Sequence, residues 1–209
     1  KEEVPGIVLE NCASGGHRLE PKLMSVMSMA SFSDAHECEE IPIIAANLHR
    51  VIHPAQSQIW AVIRQDDSLK RIAYSISNTF LGRMCISGDV TQLAPEKWNL
   101  IEQGISFYGK IKDIIKEGQS YRYGPKIKSA RHPEGWQALL RVGKNKQAYV
   151  VIHVFGGELP EVIEIELPEG IPDHIRQIYA HQEMEVSIKD RKIYYRPSEN
   201  KSAVTLWLE

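Results

Sequence analysis

Cysteine is scarce in this chain: Cys12, Cys38 and Cys85 are the only three in 209 residues. They are odd in number, far apart and never spaced Cys-x-x-Cys. That argues against a disulfide framework or a zinc site and makes a reducing cytoplasm the expected location. The eight histidines form no His-Glu-x-x-His or comparable ligand pattern, so neither a metal nor a cofactor is implied. No apolar run approaches the roughly 18 residues of a membrane span, and no secretory signal precedes the first apolar run. An excess of charge of one sign is missing too. The formal net charge is −2 and the pI about 6.5, with Lys and Arg scattered, so no nucleic-acid partner is expected.

What is present suffices for one or two domains with a sizeable core. The first residue is Lys, and an apolar run begins already at Val4. Natural domains usually start more loosely, so the expectation is a fragment of a longer enzyme.

Residues 1–118 read as alternating strands and helices. Val4–Leu9 and Met24–Phe32 are apolar runs of strand character. Between Glu37 and Arg50, Ile41, Ile44, Ala45 and Leu48 fall on one helical face, with Pro42 tolerated near the start. Gln58–Ile63 is a third strand, whose pairing with the others the sequence leaves open. Leu69–Phe80 is a helix with Ile72 and Ile76 four apart, and Arg83–Ser87 is a fourth strand. The clearest helix runs from Pro95 to Lys116, with Trp98, Ile101, Ile105, Tyr108, Ile111 and Ile115 at three- and four-residue steps. Trp98 and Tyr108 are expected in its core face, and Gly118 in its C-terminal capping position. From residue 119 the texture changes to seven short β-rich runs: Trp136–Val142, Gln147–Phe155, Val162–Leu167, Ile175–Ala180, Glu185–Ile188, Lys192–Arg196 and Ala203–Leu208. Turn formers separate them, the pattern of an antiparallel β-sandwich.

The chemistry-bearing residues cluster at two strand ends. The first is Glu10-Asn11-Cys12-Ala13-Ser14-Gly15-Gly16-His17-Arg18. The second is Ser33-Asp34-Ala35-His36-Glu37, with Asp34 sixteen residues after Arg18. Strands that deliver polar side chains at their carboxyl ends are how a parallel α/β barrel assembles an active site. Each residue also has a plainer reading. Asp34 could be a turn former or helix cap, Cys12 a small buried hydrophobe, Gly15-Gly16 only a turn, and Arg18 a salt-bridge partner. Glu37 could be the first-turn charge of the following helix or an acid behind the site. His36, His49 and His53 read as structural or surface residues, and Asp89 as a loop residue on the catalytic face.

The pattern Glu10-x-Cys12-x-Ser14-Gly15-Gly16-x-Arg18 followed by Ser33-Asp34 resembles family 36 glycoside hydrolases, the microbial α-galactosidases. The order of the later elements agrees along nearly the whole chain. The resemblance implies a (β/α)8 barrel followed by an antiparallel β-sandwich. A barrel needs eight strands and about four are present here, so residues 1–118 would be its carboxyl-terminal half and 119–209 the sandwich. It also implies cleavage of terminal α-galactosides with retention. Such chemistry needs two carboxyl groups about 5–5.5 Å apart, one nucleophile and one acid/base. By position in the motif Asp34 matches the acid/base, Cys12 and Gly15 line the galactose pocket, and Arg18 orients the site. Bare backbone at Gly15 and Gly16 would let N–H groups approach a sugar hydroxyl.

The departures are equally specific. The nucleophile of that family lies in a Trp-Asp-x-Asn type motif, and none occurs in these 209 residues. Glu37 stands where the pattern has a second Asp. The expectation is therefore a chain carrying the acid/base without the nucleophile, inactive alone, with an α-galactoside substrate and homo-oligomerisation in the full-length form. The alternative is a non-catalytic carbohydrate-binding or interaction module derived from such an enzyme. A half-barrel with two exposed edges could also self-associate.

Overall fold

The computed structural model describes residues 2–12, 18–31 and 38–209. The architecture is mixed α/β with antiparallel sheets. Its first part is a four-stranded sheet in sequential order: β1 (Glu10–Cys12), β2 (Met29–Ser31), β3 (Ser57–Ile63) and β4 (Arg83–Gly88). Every pairing in it is parallel, so β3 belongs to the same sheet as its predecessors. Connections carry α1 (Pro21–Met24), α2 (Ile41–Leu48) and α3 (Leu69–Thr79), and α4 (Pro95–Glu117) follows β4.

The first apolar run is not a strand. Val4-Pro5-Gly6-Ile7 forms a turn in which the Ile7 N–H donates to the Val4 carbonyl at 3.3 Å and Gly6 takes φ +85°. Pro then Gly at the two central positions is the type II pattern, because only Gly adopts that φ without strain. Val4 and Val8 are 56% and 63% exposed, so pairing begins only at Leu9, whose carbonyl accepts from Ser28 N–H at 2.8 Å. The second run is likewise shortened. Its first residues wind out of α1, and Gln56 Nε2 donates to both the Met24 and Met27 carbonyls at 3.1 Å. A turn stapled in this way cannot extend, which leaves three residues for β2.

Eight strands, not seven, follow α4. Five form one sheet in the order β5 (Gln119–Tyr123), β6 (Trp136–Val142), β7 (Ala148–Val154), β12 (Ser202–Leu208) and β9 (Ile175–Tyr179). Three form a second, β10 (Glu185–Lys189), β11 (Lys192–Arg196) and β8 (Ile163–Glu166). All pairings are antiparallel. β5 escapes sequence reading because Gln119-Ser-Tyr-Arg-Tyr has only its two tyrosines to mark an inner face. Those tyrosines pack on the core between the sheets.

β7 is buried along its whole length. By alternation it serves two cores. Val150, Ile152 and Val154 meet Ile163, Ile165 and Ile193 of the smaller sheet. Tyr149 and Val151 turn the other way and join α3 and α4 in a second core with Ile59, Ala61 and Ile63 of β3. α3 is thus walled in on both sides, and Ser75, Ser77, Asn78 and Thr79 are all buried.

The buried face of α4 is rotated from the one its spacing suggests. Leu100, Ile101, Gly104, Phe107, Ile111, Ile114 and Ile115 are buried, whereas Trp98 and Ile105 are 42% and 46% exposed. Gly104 explains the rotation. A Cβ there would lie 2.5 Å from Ile76 Cγ2 and 3.2 Å from Tyr179 Oη, so the helix presses its bare backbone against α3 and β9. Tyr108 is half-buried and its hydroxyl accepts from Met84 N–H at 3.2 Å. Gly118 does cap the helix, its N–H donating to the Ile114 carbonyl at 2.8 Å.

Candidate active site

Strand alternation divides the parallel sheet into two faces. Ile59, Ala61 and Ile63, with Met84 and Ile86, point to the helices. The opposite face carries Gln58, Trp60 and Val62 of β3 with Cys85 and Ser87 of β4. In register, Cys12 sits beside Ser31, Ser31 beside Gln58, Trp60 beside Cys85, and Val62 beside Ser87. Cys12 therefore belongs to the face away from the helices, where it is exposed as a free thiol.

Asn11, its neighbour, points the other way and is 7% exposed. Its side-chain amide donates a short hydrogen bond to the Arg18 carbonyl and lies 3.9 Å from Met24 Sδ. One buried amide thus ties the end of β1 to Arg18, six positions after Cys12. Sequence reading passed over Asn11; a polar residue within an apolar strand end is the only sign it leaves. Arg18 itself is exposed. Gly15, Gly16, Asp34, His36 and Glu37 lie outside the described residues, so Cys12 and Arg18 are the predicted site residues that the structure describes.

Cys38 borders a cavity of about 260 Å³ that Glu39, Lys70, Arg71, Tyr74 and Lys201 also line. Its charges are paired. Lys201 reaches Glu39 at 2.8 Å and Lys70 reaches Glu199 at 2.7 Å, which His181 also meets at 2.7 Å. Burial alone would raise the Glu199 pKa, but hydrogen bonds from Lys70 and His181 outweigh it and hold the carboxyl below its usual range. The Tyr74 hydroxyl is pushed well above the ordinary phenol pKa, first by burial and then by Cys38 and Glu39.

Two buried amides grip the same stretch from behind. Asn78 Nδ2 donates to the Cys38 carbonyl at 2.9 Å, and Gln137 Nε2 donates to the Pro42 carbonyl at 3.0 Å.

The turn after β3 is ordered by Asp67, which accepts from Arg64 N–H at 2.8 Å and pairs with Arg71 at 2.9 Å. Asp89, after β4, is exposed, and its N–H donates to the Ile63 carbonyl at 2.8 Å. His49 and His53 are structural: His49 bridges Leu81 and Ser120, and His53 accepts from Ala55 N–H. No group of three or more His, Cys, Asp or Glu among the described residues is placed to hold a metal ion. No helix among them is long and apolar enough to cross a membrane.

No protein-family model and no curated protein matches the sequence. Solved structures do. The galactosidase domain of the α-galactosidase–sucrose kinase AgaSK superposes with a TM-score of 0.73 at 17% identity, covering 100% of this chain and 30% of that one. A family 36 α-galactosidase, AgaA from Geobacillus stearothermophilus, in complex with 1-deoxygalactonojirimycin, gives 0.73 at 16% identity over 100% of this chain and 29% of that one. An α-galactosidase from Lactobacillus brevis gives 0.69 at 17% identity over 99% of this chain and 30% of that one. Other AgaA structures hold raffinose and stachyose. The chain thus has the fold of a part of family 36 α-galactosidases and spans about 30% of the length of these enzymes.

Proposed function

We propose that the chain is the carboxyl-terminal part of a retaining glycoside hydrolase that cleaves terminal α-galactosides. On this reading residues 1–118 are the last four units of a (β/α)8 barrel, and residues 119–209 are the β-sandwich that follows it. The observation that supports the reading is a superposition that covers 100% of the chain and about 30% of the α-galactosidases it matches. Fold alone does not assign chemistry. The assignment to galactosides rests in addition on the strand-end pair that contains Cys12, Arg18 and Asp34.

The helix-free face of the parallel sheet would then be the barrel interior. Cys12 stands on it as a small, weakly polar wall beside the sugar. Gly15 offers close backbone donors, and Arg18 orients the site. Asp34 is the acid/base. In the first step its carboxyl proton passes to the glycosidic oxygen as the bond from that oxygen to the anomeric carbon breaks. A carboxylate nucleophile takes the anomeric carbon from the opposite face. In the second step ionised Asp34 removes a proton from water, which displaces the nucleophile and restores the original configuration. The nucleophile has no counterpart motif in these 209 residues, so it would come from the preceding barrel units, and this chain would not turn over substrate alone. The substrate would be an α-galactoside oligosaccharide or glycoside, with neither metal nor cofactor required. The complete protein would be a cytoplasmic homo-oligomer.

The test compares the complete enzyme with its Asp34→Ala variant on two aryl α-galactosides, one with a poor and one with a good leaving group. Loss of a general acid should slow the poor leaving group by on the order of 10²-fold or more and spare the good one at the glycosylation step. Equal rates of wild type and variant on the poor leaving group would remove Asp34 from this role.

A further inference from the structure

We propose that a cavity between residues 49–54 and 118–120 is a binding site for a phosphate group, free or carried by a small organic molecule. The cavity measures about 490 Å³, and His49, Arg50, His53, Ser120 and Arg141 line it, with Val51 on its apolar side. Arg83 Nε, at the start of β4, donates to the Ala55 carbonyl at 3.1 Å, just ahead of β3. The cavity therefore lies at the amino ends of the parallel strands, whereas Cys12 closes the carboxyl end of β1. A ligand here is remote from the face assigned to the sugar, and the site stands whether or not Asp34 is the acid/base.

Charge of one sign gathers around this cavity without an answer. Among the described residues no carboxylate lines it, and Arg50, Lys116, Arg122 and Arg141 form no ion pair. Glu117, beside Lys116 in the chain, is held by Lys144 at 2.9 Å. The cations act on their neighbours. Burial, then Arg141 and Lys116, depress the His53 pKa against a hydrogen bond to the Lys116 main chain, and burial followed by Arg50 depresses that of Arg122. The carboxyl end of α4 supplies only about half a negative charge against these four cations. Like charges left together weaken the compact state, so stability is a poor reason for the arrangement. Arg141 also has capacity to spare, although it is 3% exposed. Its bonds to Ile114, Ile115 and Ser120 take one hydrogen from each guanidinium nitrogen. Of the five N–H donors of a guanidinium, two therefore have no partner among the described residues. A phosphate group brings up to two negative charges and several acceptor oxygens, which suits such a set better than a single carboxylate does.

His53 is the reporter, since a bound dianion opposes the cations that depress it. NMR of its ring in this chain should show a pKa higher by about 0.5 or more in saturating inorganic phosphate than in sodium chloride of equal ionic strength. Arg50 and Lys116 are exposed, so Arg50→Gln and Lys116→Gln should keep the urea midpoint. Each should weaken phosphate binding by about fivefold or more. Phenyl phosphate separates the two sources. Binding at least about fivefold tighter than that of inorganic phosphate assigns an organic phosphate with its apolar part toward Val51, and equal or weaker binding assigns the free ion. Identical His53 titrations in phosphate and chloride overturn the proposal, and so does phosphate binding that neither variant weakens.

Discussion

Arg141 Nη2 lies 2.6 Å from the Ile115 carbonyl, at the carboxyl end of α4. The same guanidinium donates through Nε to Ile114 and Ile115 and through Nη1 to Ser120 Oγ, although the residue is only 3% exposed. Among the described residues no carboxylate pairs with it. Its counter-charge is the negative end of a 23-residue helix, whose last carbonyls lack partners within the helix. This one side chain on β6 thereby fastens the antiparallel sheet to α4.

Replacing Arg141 should therefore be costly out of proportion to its position beside a turn. Arg141→Met removes the guanidinium donations to the Ile114 and Ile115 carbonyls and to the Ser120 hydroxyl, leaving Ile114 its bond from Gly118 N–H and Ser120 its bond to His49. A loss of about 2–4 kcal/mol is expected from charge-assisted hydrogen bonds of this kind. Arg141→Lys should recover less than half of it, since an ammonium cannot reproduce the planar fork. Urea denaturation monitored by tryptophan fluorescence measures both values.

Stability should also fall in mild acid. His49 Nε2 lies 2.6 Å from the Leu81 carbonyl, so that nitrogen carries the proton, and Nδ1 accepts from Ser120 at 2.8 Å. Burial, only partly offset by the Leu81 carbonyl and reinforced by Arg141, lowers the His49 pKa to about 4. Burial alone lowers that of His153 to about 3. Both rings are neutral when folded and titrate near 6.5 when unfolded. Below 6.5 the unfolded chain binds the extra protons, so stability is complete above that pH and drains away as pH falls to the folded values. The gaps correspond to roughly 3 kcal/mol for His49 and about 5 kcal/mol for His153. Urea midpoints between pH 7 and 4 should decline steeply for the wild type and less steeply for His153→Phe. Parallel slopes would exclude His153 as a source.

The strands and helices that sequence marked well are those whose fate is decided locally. α3 and α4 carry their own periodicity, and β6, β7 and β12 are apolar runs fenced by turns. Of the two departures, one is a local turn and the other is decided at a distance. Val4–Leu9 is apolar enough for a strand, yet Pro5-Gly6 turns it and nothing described covers it. The face of α4 shifts because Gly104 meets Ile76 and Tyr179, a contact across 28 and 75 residues of chain that no window reveals. At the candidate site, the motif residues stand out in the sequence by their spacing, and of those predicted the structure describes Cys12 and Arg18. Asn11, Asn78 and Gln137 do not stand out, because a buried amide has meaning only through the carbonyl it finds.

The two thiols nearest the candidate site differ in access, and alkylation can read that difference. Cys12 is exposed on the helix-free face, whereas Cys38 is buried at 7% exposure beneath Glu39 and Tyr74. Under native conditions iodoacetamide should modify Cys12 at least about tenfold faster than Cys38, whose reaction requires local opening. Peptide mass spectrometry gives both rates. Gln137→Met should narrow the gap by speeding Cys38, because the Pro42 end of the same segment loses its hold. A Cys38 rate that matches Cys12 in the wild type would contradict the packing around Tyr74.

Association of the chain with itself is the remaining expectation, and it follows from its two flanks. Among the described residues, β1 pairs only with β2, and β4 only with β3. Each leaves a row of backbone donors and acceptors open, a template for further strands. Five exposed apolar residues belong to the segments next to those strands in the chain: Val4, Ile7 and Val8 lead into β1, and Trp98 and Ile105 are on the helix that follows β4. In a closed barrel, neighbouring units would cover both flanks. The isolated chain should therefore show a sedimentation mass that rises with concentration over the micromolar range. Trp98→Glu with Ile105→Lys should shift that rise to at least about tenfold higher concentration without lowering the urea midpoint, since exposed positions away from packing change stability by less than about 0.5 kcal/mol. A single mass near 23.7 kDa at every concentration would mean that the edges are already satisfied, and the half-barrel reading would lose one of its physical consequences.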